Sequence, residues 1–76
     1  MVDTQLLDEK IEQSGKRKSY LAAKCNMSVQ TFRLKRLNIS AFTTDEVEAL
    51  AKELEIKTLS EKDRIFFKKK VEKMST

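Results

Sequence analysis

The chain contains no proline and only one glycine, Gly15, in 76 residues. Tight hairpin turns draw on Gly, Pro, Asn and Asp, because their central positions need positive φ or a fixed φ. A sandwich or barrel would need several such turns, so an all-β fold is close to excluded. Charged side chains make up 37% of the residues, and most of them favour helix. Twenty residues are Leu, Ile, Val or Phe, enough to lift a charged chain out of the compositional range of disorder. The expectation is a compact, all-α domain. At this length there is one core and no second module, so residues 1–76 are expected to form a single domain.

Other classes fall away quickly. With one cysteine, Cys25, and no histidine, an internal disulfide is impossible and the soft ligands of a zinc site are too few. Cys25 is expected to act as a small buried hydrophobe. No apolar run exceeds four residues, Tyr20 to Ala23, so neither a membrane span nor a signal-peptide core is expected. Carboxylate pairs such as Asp8-Glu9 and Glu46-Glu48 lack the partner set of a catalytic site. No catalytic residue, metal ligand or cofactor is therefore assigned, and the default is a soluble, intracellular chain.

Local signals divide the chain into five helices. Asp3 is an N-cap flanked by Val2 and Leu7 as a hydrophobic staple, and Gly15 is a stop, which predicts a helix over 4–14. A short second helix carries Tyr20, Leu21, Ala22 and Ala23 and ends at Cys25, where Asn26 tolerates a left-handed backbone. Ser28 caps a third helix over 29–37, with Met27 and Phe32 as its staple. Phe32 and Leu37 are expected inward, and Val29, Gln30, Arg33 and Arg36 outward. Thr43 to Glu46 is a capping box, stapled by Phe42 and Val47, that starts a helix over 44–54. Ser60 is expected to cap the last helix, over 61–73, with Ile65, Phe66 and Val71 as its apolar positions.

Charge is distributed unevenly along this plan. Residues 1–15 carry net −3, residues 16–36 carry seven bases and no acid, residues 37–63 carry net −4, and residues 64–76 carry net +4. The attraction to a polyanion is thus concentrated in two segments. The first of these coincides with a helix, a three-residue turn and a second helix with a serine cap. Small Ala22 permits close crossing, and Cys25, Met27 and Phe32 fill the angle between the two helices. That arrangement is a helix-turn-helix, the motif whose second helix enters a major groove.

From Lys16 to Leu54, on Leu21-Ala22, the turn to Met27-Ser28, Phe32 and the Phe42-Thr43 helix start, the chain resembles the Cro/repressor helix-turn-helix (XRE-like) family. Within it, the small phage Cro-like regulators that end after a fifth helix are nearest. The resemblance covers about half the chain closely. Asn26 stands where the family usually has Gly, and Lys35 where many members are apolar. The resemblance implies a lambda repressor-like DNA-binding domain, with Ser28, Val29, Gln30 and Arg33 on the front of the recognition helix. Their chemistry suits base reading: Gln30 can pair bidentately with adenine, Arg33 with guanine, and Val29 can cover a thymine methyl. Lys16, Arg17 and Lys18 before or at the start of helix 2, with Thr31, Lys35, Arg36 and Asn38 on and after helix 3, are placed to hold phosphates.

The function so implied is a sequence-specific transcriptional regulator, phage- or prophage-encoded and acting in the bacterial cytoplasm, that represses by occupying a double-stranded DNA operator. The rival reading is a small modulator or antirepressor that binds another repressor protein; an antitoxin would share the fold. Phe66 and Phe67 are either core at the edge of the bundle or contacts of a homodimer. The acidic segments should repel DNA that approaches in the wrong orientation.

Overall fold

Residues 1–67 are described by a computed structural model, and they form five helices: α1 Thr4–Ser14, α2 Lys18–Lys24, α3 Val29–Arg36, α4 Thr44–Glu53 and α5 Leu59–Phe66. No strand occurs among the described residues. Three starts follow the expected caps. Asp3 accepts from the Leu6 amide, and Ser28 from that of Thr31. In the box at α4, Thr43 Oγ1 accepts from the Glu46 amide at 3.2 Å and Glu46 Oε1 from the Thr43 amide at 2.9 Å.

The last helix departs from the expectation. Its cap is Thr58, which accepts from the Glu61 amide at 3.1 Å, and Ser60 lies inside the first turn. Both residues have an acid three positions on, so the local pattern is ambiguous. Starting at Thr58 lets Ile56 tuck into the core just before the helix. Phe67 already has non-helical angles, so α5 ends at Phe66. Of the span expected to continue to 73, residues 68–73 lie outside the described residues.

Helix stops in a chain with one glycine need another device. Gly15, Asn26, Asn38 and Glu55 all take positive φ, between 58° and 71°, just beyond α1, α2, α3 and α4. At the last three, the backbone closes a Schellman motif. Met27, Ile39 and Ile56 donate to the carbonyls of Ala22, Leu34 and Ala51, while Asn26, Asn38 and Glu55 donate to those of Ala23, Lys35 and Lys52. Orphan carbonyls are satisfied in each case, at the cost of a side chain in the left-handed region.

Each helix sends one fully buried side chain to a common core: Leu7, Leu21, Phe32, Leu50 and Ile65. Phe42, from the loop before α4, meets Phe32 edge-on at 6.2 Å and Phe66 at 6.0 Å. This aromatic chain fixes α3 and α5 to the α4 start, each ring pair adding about 0.5–1.5 kcal/mol beyond area burial. Leu37, expected inward, is 45% exposed. The turn begins there, so its side chain leaves the inner stripe. Tyr20, expected with the apolar set of α2, is also exposed.

Candidate nucleic-acid interface

Helices α2 and α3 pack directly on each other. Leu21, Ala22, Cys25 and Phe32 are buried between them and the rest of the core, and Met27 packs against the cluster. The turn is held from both sides: Asn26 ends α2, and Ser28 begins α3. Besides capping, Ser28 Oγ bonds to Thr31 Oγ1 at 3.0 Å. The front of α3 therefore begins on a hydroxyl pair already engaged with each other.

Beyond that pair, Val29, Gln30 and Arg33 are exposed. Their spacing of one and four residues confines them to about 100° of the helix circumference. Neither Gln30 nor Arg33 makes a side-chain hydrogen bond or ion pair with the described residues. Arg17 and Lys18, at the start of α2, are likewise exposed and unpaired. Arg17 occupies the N-cap position without a side-chain cap bond.

The remaining residues expected at phosphates are committed elsewhere. Lys16 Nζ donates to the Glu53 carbonyl at 2.7 Å and to its carboxylate at 3.1 Å. Lys35 Nζ meets Glu46 Oε1 at 2.6 Å, largely shielded from solvent. Arg36, expected outward, is buried: its guanidinium lies over the Phe32 ring at 5.1 Å, and Nη1 donates to Asp8 Oδ1 at 3.2 Å. Its Nε is buried with no hydrogen-bond partner among the described residues. Asn38 uses both ends of its amide on Val2, accepting from the backbone N–H at 2.8 Å and donating to the carbonyl at 2.9 Å. Thr31 is half-buried behind Ser28.

These ion pairs leave their mark on the carboxylates. Partial burial raises the Glu46 carboxyl, but hydrogen bonds from Lys35 and the Thr43 amide outweigh it and hold it below the ordinary glutamate value of 4.5. Glu53 is also lowered, chiefly by the hydrogen bond from Lys16. Cys25 is pushed up by burial and by the nearby Glu46 charge, which favours the neutral thiol.

Tyr20 is a candidate contact that the sequence reading did not single out. Its exposed ring has the Lys16 ammonium 5.8 Å and the Lys24 ammonium 5.4 Å from its centroid. The four-residue spacing on either side, Lys16-Tyr20-Lys24, was the available signal. Of the two phenylalanines left open, Phe66 is core and Phe67 is exposed. Lys68, Lys69 and Lys70 lie outside the described residues.

No group of three or more His, Cys, Asp or Glu among the described residues could hold a metal ion. No described helix is long and apolar enough to cross a membrane. No family model matches the chain, and no curated protein or solved structure matches it.

Proposed function

We propose that this chain is a sequence-specific DNA-binding transcriptional regulator that reads a major groove with α3, as its resemblance to small phage Cro-like repressors implies. One observation carries the reading. The cations on the inner side of α3, Lys35 and Arg36, are held by Glu46 and Asp8, while Gln30 and Arg33 on its outer side have no side-chain hydrogen bond or ion pair among the described residues. Base reading needs side chains that are exposed and uncommitted, mounted on a helix whose pose is fixed. In this reading Val29, Gln30 and Arg33 specify, Ser28 chiefly caps, and Arg17 and Lys18 position through phosphates. Repression follows from operator occupancy, which excludes polymerase or a competing repressor.

Selection from random duplexes tests this directly. An enriched half-site is expected, and Arg33→Ala should relax preference at one base position at a cost of about 1–3 kcal/mol. Recovery of unselected sequence only, with Arg33→Ala indistinguishable from the parent, refutes the reading.

A further inference from the structure

We infer that the groove between the end of α4 and the start of α5 docks an acidic segment of another protein, one that carries apolar side chains among its carboxylates. The groove, about 370 Å³ in volume, has buried Ala51 and Ile56 on its floor and Leu59 on its edge. Leu59 is 71% exposed, the highest value of any large apolar residue among the described residues. The Thr58 cap explains its position. Had Ser60 capped α5, Leu59 would precede the cap, at the place from which a hydrophobic staple folds back on the helix. With Thr58 as cap, Leu59 is instead the first helical residue and Lys57 takes the staple position.

The charges around this apolar strip identify the partner. Lys52, Lys57 and Lys62 line the groove, against one acid, Glu48. Lys62 meets Glu48 at 2.7 Å. Lys52 and Lys57 are exposed, with no side-chain hydrogen bond or ion pair among the described residues. Neighbouring acids are committed on other sides, Glu53 to Lys16 and Glu61 to Lys10. The positive end of the α5 dipole adds to the same field, which carboxylates from a partner would offset.

Two other occupants answer only part of this surface. A second copy would set Lys52 and Lys57 against their own kind across a two-fold axis. A nucleic-acid backbone would satisfy the lysines, but it offers no apolar surface to Leu59 and would meet the Glu48 carboxylate, which is 62% exposed. An acidic segment with interspersed apolar residues suits both the lysines and the leucine. The surface is also already built: the Ile56 amide donates to the Ala51 carbonyl at 2.9 Å, and Ala51, Leu54 and Ile56 are buried in the core. Docking there costs little ordering of the backbone. None of these residues belongs to the proposed DNA face, so the docking holds whether or not α3 reads bases.

Amide-resolved NMR titration of the full chain, without DNA, is the test. The probe is a short, terminally blocked peptide of glutamates in which leucine recurs every three or four residues, and its control has serine for leucine. Shifts are expected at Lys52, Ile56, Lys57 and Leu59, with an affinity that falls as salt rises. The control should bind at least about tenfold more weakly, the ratio that burial of a leucine side chain supports. Leu59→Ser should abolish the difference between the two peptides. Lys52→Gln combined with Lys57→Gln should weaken both and flatten the salt dependence. All three positions are exposed, so circular dichroism should show the variants folded. Equal affinity for the two peptides overturns the proposal, as does an absence of shifts in the groove. Broadening of the same amides with chain concentration alone would assign the groove to a second copy, and stronger shifts with a short duplex DNA would assign it to phosphates. Either result overturns the proposal too. Failure of half-site selection with peptide binding intact would remove the DNA reading and leave the docking surface standing.

Discussion

Replacing Arg36 by Met separates structural from DNA-binding cations. Seven bases lie in residues 16–36, but Lys16, Lys35 and Arg36 pair with Glu53, Glu46 and Asp8, which leaves Arg17, Lys18, Lys24 and Arg33 without an ion pair. Binding that neutralises Z phosphates weakens with salt at a log–log slope of about −0.9Z. With Arg33 given to a base, phosphate contacts at the other six would give a slope of about −5.4 per domain, and at Arg17, Lys18 and Lys24 alone about −2.7. Met keeps the unbranched stem over Phe32. It loses a cation–π contact of about 1–2 kcal/mol and an ion pair with a well-exposed Asp8 of about 0–1 kcal/mol. It also removes the unpartnered buried Nε, whose burial costs about 1–3 kcal/mol. These effects nearly cancel, so Arg36→Met should change stability by no more than about 1 kcal/mol. Fluorescence anisotropy on a selected duplex, titrated at several salt concentrations, should give the parent slope for Arg36→Met. Lys18→Ala should be shallower by about 0.9. If folded Arg36→Met loses that same increment, Arg36 leaves Asp8 to reach a phosphate and the charge accounting is wrong.

Two further outcomes concern the fold. Glu55 holds a left-handed conformation at φ 58° with an exposed side chain. Glu55→Gly should therefore raise stability by about 0.5–1 kcal/mol, the relieved strain exceeding the added unfolded-state entropy. A lower melting temperature would show that the Glu55 side chain contributes more than its exposure suggests. Acid titration tests Glu46: because its folded value lies below 4.5, its contribution is complete above that pH and disappears as pH falls through the lowered value. The Glu46→Gln variant should be less stable at neutral pH and lose less across that window, and denaturation curves that stay parallel to the parent's would contradict this.

Several features that depend on residues close in sequence could be read from it. The Asp3, Ser28 and Thr43 caps and the Gly15 and Asn26 stops each involve residues within one or two helical turns, and each is found where expected. Thr58 was missed because Ser60 satisfies the same local rule, and the tie was broken by burial of Ile56, a tertiary effect. The same limit explains the cations. Lys16, Lys35, Arg36 and Asn38 look like phosphate ligands in isolation, but their partners lie 11 to 37 residues away. Nothing in a local window marks a lysine as already paired. Phe66 and Phe67 show the opposite case: Phe66, expected on the apolar stripe of the last helix, is buried beside Ile65, and Phe67, one position on, is exposed.

The acidic segments then take on a second role. Asp8 from the first and Glu46 and Glu53 from the third reach across to the basic window and neutralise three of its seven cations. Two of those three bonds hold α3 itself, at Lys35 from α4 and at Arg36 from α1. A helix of only eight residues gains little rigidity from its own hydrogen bonds, so its pose depends on such external ties. The seven bases of residues 16–36 therefore divide between three that are ion-paired and four that have no ion pair among the described residues. The cations left over, at the start of α2 and on the outer face of α3, are those that no other part of the described fold claims.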